Sequence, residues 1–238
     1  MTRSLVEALE QLTLRQDLRY LSCLTYKEVI KKRGLFRQHK AWCPQCFEQW
    51  EQEKKPIYEP LLWSFKDANY CLHHNCQLSD RCPYCNSTQK AIANNSRLGY
   101  CDKCQQWLGK KRHTNSLSSE NVRENYLIAK GIGELIVCTP QLKFQPRLKN
   151  LKQKLKLILF GFERAVHRDL GQYVVLIKLI EKLKIDLQQN YTKAVDLTKI
   201  IIPVCDRAKI SVSQLMIDNR ETLAEELGRN IETDYEIF

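Results

Sequence analysis

Six of the eleven cysteines form three Cys-x-x-Cys pairs, and a seventh heads a Cys-x-x-His pair. Two sulfurs at that spacing sit on one tight turn and aim at a single ion, which is the chemistry of a metal ligand set. Cys82-Pro83-Tyr84-Cys85 is followed after fifteen residues by Cys101-Asp102-Lys103-Cys104, within the spacing of a four-cysteine zinc site. Cys43-Pro44-Gln45-Cys46 is followed after twenty-four residues by Cys71-Leu72-His73-His74. Here His73, His74 and Cys76 compete for the fourth place. His74 is preferred because it repeats the two-residue gap of the other half-sites, whereas the adjacent His73 would point elsewhere. The expectation is two structural zinc ions, one held by Cys43, Cys46, Cys71 and His74 and one by Cys82, Cys85, Cys101 and Cys104.

Four protein ligands at about 2.0–2.3 Å close a tetrahedral shell and leave no position for a substrate. Catalytic zinc needs such a position, usually with an acid nearby. The sequence has no His-x-Glu, and Arg81 rather than proline precedes Cys82, so the zinc-deaminase pattern is missing. Gly131-Ile132-Gly133 is a lone fragment of a phosphate loop, and no serine sits in a nucleophile elbow. An enzyme is not expected. The thiols outside the preferred sets, Cys23, Cys76, Cys138 and Cys205, read as small buried hydrophobes.

Charge points toward polyanions. The 238 residues carry 38 Lys and Arg against 27 Asp and Glu, a net +11. Lys27, Lys31, Lys32, Arg33, Arg37 and Lys40 lead into the first cysteine pair, and Lys110, Lys111 and Arg112 follow the last. From these, Lys31, Lys32, Arg33, Arg37, Lys110, Lys111 and Arg112 are taken as candidate nucleic-acid contacts, each adding salt-sensitive affinity for phosphate. A third cluster, between Gln141 and Leu170, reads better as the solvent face of a helix. Trp42, Trp50, Trp63 and Trp107 suit packing over the metal knuckles better than stacking on bases. No secretory signal is visible, and no stretch approaches the roughly 18 apolar residues of a membrane span. A soluble, cytoplasmic protein is expected, with its thiols reduced.

The elements that must position these ligands are mainly helical. Residues 1–40 read as short helices, with capping boxes at Ser4/Glu7, Thr13/Gln16 and Thr25/Glu28 and an apolar stripe of Leu5, Leu9 and Leu12. Residues 41–113 lose the helical period, and short hairpins and knuckles held by metal are expected there. Residues 114–238 return to helix. One helix is expected over Glu120–Val137, stopped before Pro140. Another follows Pro146, with Leu148, Leu151, Leu155 and Ile158 on one face, and a third covers Tyr173–Ile185. Two short helices, Asp196–Cys205 and Ser211–Ile217, have the length of a degenerate helix-turn-helix between Thr198 and Met216, with no basic or polar recognition face. An acidic tail closes the chain. The fold class is thus mainly α with a small zinc-ribbon middle region.

The motifs combine into a longer pattern. It runs Ala41-Trp42-Cys43-Pro44-x-Cys46, Tyr58-Glu59-Pro60-Leu61-Leu62-Trp63, Cys71-x-x-His74-x-x-x-Leu78, Cys82-Pro83-x-Cys85, Gly99-Tyr100-Cys101-x-x-Cys104 and Trp107-Leu108-Gly109. In this order and spacing the sequence resembles the TniQ family, which includes the TnsD-type target selectors of Tn7-like transposons. The resemblance implies a non-enzymatic adaptor that couples a target-recognising component to an AAA+ transposition regulator. The recogniser is a DNA-binding part of such proteins or, in CRISPR-associated transposons, a guide-RNA effector complex. It also implies a bacterial, nucleoid-associated location. The eight ligands match the family's zinc ligands one by one. Members usually open with a longer helical domain, so residues 1–40 are expected to be a shortened version of it. The alternative is a stand-alone zinc-ribbon DNA-binding transcriptional regulator.

Overall fold

The fold is that of a computed structural model, which describes residues 2–21, 23–31, 33–93, 96–110, 119–142, 145–166, 194–218, 222–223 and 225. The chain divides into two compact units, Arg33–Gly133 and the pair of segments Met1–Lys32 with Glu134–Phe238. The helix expected at Tyr173–Ile185 and the acidic tail beyond Glu225 lie outside the described residues. Among the described residues no helix is long and apolar enough to cross a membrane.

The first unit in sequence order of its core, Arg33–Gly133, holds the cysteine pairs. Helix α1 (Thr2–Thr13) belongs to the other unit; α2 (Pro44–Gln52) opens directly on the first pair. A short turn of 3-10 helix at Leu61–Ser64 precedes a two-stranded antiparallel ribbon, β1 (Tyr70–Cys71) and β2 (Cys76–Gln77), in register Tyr70 with Gln77 and Cys71 with Cys76. One apolar core fills the unit: Trp42, Phe47, Trp63, Leu78 and Leu108 are buried together with Cys43, Cys46, Cys71, Cys82 and Cys101. Cysteines of both sets therefore line a single core. Trp42 pairs with Ser79 across an isolated bridge, and its indole N–H donates to the Leu108 carbonyl at 3.1 Å. The middle region differs from the expected hairpins in one respect. The proline of the first pair starts a helix instead of a turn, because its fixed φ and missing N–H suit a first helical position.

In the other unit, α1 reverses the simple amphipathic reading. Leu5, Leu9 and Leu12 stand exposed, the last at 80%, while Glu10 is buried and takes hydrogen bonds from the backbone and guanidinium of Arg19. Ser4 lies within the helix Thr2–Thr13. Thr13 closes the helix by donating to the Leu9 carbonyl, and Thr25 lies within a 3-10 turn, Cys23–Tyr26. Ser, Thr and Glu at the right spacing satisfy several local geometries, and the tertiary setting chose others.

The later helices follow the sequence closely. Helix α3 (Ser119–Cys138) ends in a 3-10 turn containing Pro140 and buries Leu135 and Cys138. The Tyr26 hydroxyl donates to the Leu135 carbonyl at 3.0 Å, and Thr139 bonds to the same oxygen at 2.8 Å. Helix α4 (Leu148–Val166) buries Leu151, Leu155 and Ile158, as its spacing predicts. A π-type turn, Leu197–Ile201, is capped by Asp196 and runs into α5 (Ile202–Arg207); α6 (Val212–Ile217) opens on a complete capping box of Ser211 and Gln214. Val195 bonds back to Val29 and Lys31, which fixes the N-terminal segment to this unit. The pair α5 and α6 faces inward through Ile202, Val204, Cys205, Val212, Leu215 and Met216.

Candidate metal centre

Three of the four half-sites are built by one backbone device. In Cys82-x-x-Cys85 the N–H of Cys82 bonds to the Ser87 carbonyl and the N–H of Asn86 bonds back to Cys82; Asn86 is left-handed at φ 60°. Cys101-x-x-Cys104 repeats this, with Gln106 in the place of Ser87 and Gln105 at φ 56°. Cys71-x-x-His74 has Asn75 at φ 47° and Cys76 paired with Cys71 across the ribbon. Each device is a tight loop whose fifth residue is left-handed. Asparagine tolerates that conformation better than most side chains. The fourth half-site, Cys43 and Cys46, uses a helix start: Cys43 is the extended N-cap of α2 and Cys46 lies in its first turn.

These turns bring the donors together. The ligand atoms of Cys43, Cys46, Cys71 and His74 all lie within 4.8 Å of one another, and so do those of Cys82, Cys85, Cys101 and Cys104. A tetrahedral ion with sulfurs at about 2.3 Å sets sulfur–sulfur edges of about 3.8 Å. Observed edges are 3.6 Å for Cys46–Cys71, 3.7 Å for Cys82–Cys104 and 3.6 Å for Cys85–Cys101. His74 presents Nδ1 at 3.6 Å from Cys43, 3.2 Å from Cys46 and 3.8 Å from Cys71. Both donor sets fit one ion each, and both can hold a metal.

Backbone amides face several of the sulfurs. Backbone N–H groups of Tyr84, Lys103, Cys104 and His74 point at the sulfurs of Cys82, Cys101, Cys101 and Cys71, at 3.4–3.5 Å. Burial opposes charge on Cys101, but the amides of Cys104 and Lys103 and the Ser87 hydroxyl outweigh it and hold that thiol down to about 6. In the first cluster, hydrogen bonds from Cys43, Cys46 and Cys76 hold Cys71 far below the ordinary thiol range, while Cys43 is pushed up by its contacts with Cys46 and Cys71. Protons shared in this way are what a divalent cation displaces on binding. By contrast, burial pushes the Cys23 thiol up to about 11 and raises Cys138 and Cys205, so these remain neutral and unreactive.

Supporting residues were not singled out by spacing alone. Gln49, one turn after Cys46 on α2, places its Oε1 3.1 Å from His74 Nε2 and 3.2 Å from His73 Nε2, while its own Nε2 donates to Glu53. With Nε2 of His74 donating to Gln49, Nδ1 is left as the lone-pair atom facing the sulfurs. His73 faces Gln49, away from the ligand set. Ser87 lies 3.0 Å from Cys85 and 3.6 Å from Cys101. The signal for Gln49 was available: it stands three residues after Cys46 on the same helical face.

The four tryptophans pack. Trp42 and Trp63 are buried in the core with Trp50 and Trp107 against it, and Trp50 stacks on Tyr58 at 4.4 Å and on Trp63 at 5.9 Å. Of the candidate nucleic-acid contacts, Lys32, Lys111 and Arg112 lie outside the described residues. Lys31 and Arg33 are exposed, and Lys110 holds its ammonium 5.1 Å over the Tyr84 ring. Arg37 is half-buried and donates to the carbonyls of Phe65 and Ala68, where it fastens the loop before β1.

Among curated proteins none matches this chain. A protein-family comparison finds TniQ over residues 2–78. That span takes in α1, the first cysteine pair and Cys71 to Leu78, and stops before the second donor set. It includes N-terminal residues that the motif pattern left out. Over residues 2–78, about a third of the chain and with the first donor set inside that span, the sequence is similar to the TniQ family.

Proposed function

We propose that this protein is a non-enzymatic target-selection adaptor, linking a DNA or guide-RNA recognition component to the AAA+ regulator of a Tn7-like or CRISPR-associated transposon. The observation that carries the reading is the TniQ match over residues 2–78 together with a full four-donor set at Cys43, Cys46, Cys71 and His74. Thiolate and imidazole donors at tetrahedral spacing suit zinc, and two such ions would be structural. Each would fix loops that have little regular structure of their own. Four protein donors around each ion would leave no position for a substrate, which supports a non-catalytic role.

Lys31, Lys32, Arg33, Lys110, Lys111 and Arg112 are the proposed phosphate contacts, with Arg37 secondary because its donors already serve the chain. The inward-facing α5 and α6 make direct sequence reading by a helix-turn-helix the weaker part of the proposal. The test is a pull-down with the AAA+ regulator assembled on DNA with ATP. Recovery of the regulator is expected; none recovered at several protein concentrations would sink the adaptor reading. Selection of one DNA sequence by the protein alone at physiological salt would instead make it a zinc-ribbon transcriptional regulator.

A further inference from the structure

A fifth possible donor, Cys76, lies against the first donor set of four. The sulfur of Cys76 lies 3.6 Å from that of Cys43, the same edge that separates Cys46 from Cys71 and Cys85 from Cys101. It is also the register partner of Cys71 across the β1–β2 ribbon. The backbone explains its place. Cys76 is the fifth residue after Cys71, and the two other knuckles hold Ser87 and Gln106 at the same offset from Cys82 and Cys101. At the second donor set this position faces the sulfurs, since the Ser87 hydroxyl contacts both Cys85 and Cys101. A serine hydroxyl there can donate to thiolates but is a poor zinc ligand; a cysteine there is a strong one.

We propose that Cys76 is a reserve metal ligand, able to complete a four-sulfur site with Cys43, Cys46 and Cys71 in place of His74. His74 is the replaceable member of the set. It sits on the two-stranded ribbon's connecting turn, half-buried, and is held from behind by Gln49 alone among the described residues around its Nε2. Cys43, Cys46 and Cys71 are buried in the core. In the exchange the metal–nitrogen bond breaks and a metal–sulfur bond forms, and the thiol proton of Cys76 passes to the freed imidazole. The ion and the net charge of the whole assembly are conserved, while the ion's own ligands change from three thiolates to four.

The proposal rests on the zinc reading above, and the experiment separates the two. Metal content and cobalt(II)-substituted absorption spectra would be measured for the full chain, for His74→Ala, for Cys76→Ser, and for the double variant His74→Ala/Cys76→Ser. Two ions are expected in the parent, in Cys76→Ser and in His74→Ala, with the thiolate-to-cobalt band of His74→Ala gaining the intensity of one more sulfur. One ion is expected in the double variant, retained at Cys82, Cys85, Cys101 and Cys104. Loss of an ion in His74→Ala alone, or in Cys76→Ser alone, would overturn the reserve role. Fewer than two ions in the parent would instead remove the zinc reading on which it rests.

Discussion

The indole N–H of Trp107 donates to Glu48 Oε2 at 3.2 Å, so the segment that follows the second donor set is fastened to the helix that opens on the first. The same ring is flanked by Gly99 and Gly109, where any added Cβ would collide with it. Trp107 also lies 5.9 Å from Phe47 and 5.2 Å from Tyr100, so the ring closes the core on this side. The sequence pattern Gly99-Tyr100-Cys101 and Trp107-Leu108-Gly109 thus has a physical cause: two glycines make the slot for one indole.

Gly109→Ala should therefore destabilise the cysteine-bearing unit by about 1–3 kcal/mol, the usual cost of overpacking a closed core. Gly99→Ala should cost at least as much, since its φ of 78° adds left-handed strain. Gly34→Ala is the control: φ is 77° but nothing lies within 4 Å of the added carbon, so only about 1 kcal/mol of strain is expected. Denaturant melts of the three variants, followed by tryptophan fluorescence, would check the order. A Gly34 variant as damaged as the Gly109 variant would contradict it.

Removing the metal should cost far more. Structural zinc contributes on the order of 10 kcal/mol in small domains, and here the proposed ligands Cys43, Cys46, Cys71, Cys82 and Cys101 are themselves core residues. A strong chelator, or Cys85→Ala, is expected to unfold the Arg33–Gly133 unit and abolish partner binding. Near-ultraviolet circular dichroism before and after chelation gives the readout. Partner binding that survived complete metal removal would be the contrary result.

Gln49 should set the tightness of the first site. Gln49→Leu removes the acceptor for His74 Nε2, and loss of such an orienting partner typically lowers metal affinity about 10–100-fold. His73→Ala should leave the ion count unchanged, because His73 contacts Gln49 and not the sulfurs. Competition with a chromophoric chelator would separate these outcomes.

Glu10 makes the α1 region sensitive to acid. The hydrogen-bonded Arg19 side chain holds its carboxyl below the usual glutamate range. A carboxyl whose folded pKa is depressed contributes stability above its unfolded value, near 4.3, and loses it as pH falls through the folded value. The melting temperature of the parent should thus exceed that of Glu10→Gln at pH 7, with the gap closing below about pH 4. A gap that did not change with pH would argue against an ionic role.

Lys154 is buried, and its ammonium donates to the Leu215 carbonyl at 2.7 Å, near the end of α6. Burial pushes its pKa down, yet the contact satisfies a carbonyl that the short helix leaves open. Lys154→Met should destabilise the unit containing α4 and α6 by about 1–3 kcal/mol, the cost of a buried polar group left unpaired. Urea unfolding monitored by far-ultraviolet circular dichroism would measure it.

What the sequence determined by itself is local. Two-residue spacing makes a knuckle whatever surrounds it, so the members of both four-donor groups could be named from order alone. Ser211 with Gln214 caps α6, and the 3.6-residue rhythm of Leu151, Leu155 and Ile158 finds the buried face of α4, because those signals need only neighbours along the chain. Tertiary structure decided what depends on distant partners. It buried Glu10 rather than Leu12, since Arg19 was there to pair with it. It turned Pro44 into the start of a helix, set Gln49 behind His74, and closed the indole of Trp107 between two glycines. It also laid the sulfur of Cys76 against Cys43, thirty-three residues away, because ribbon register and not spacing controls which side chains share a face.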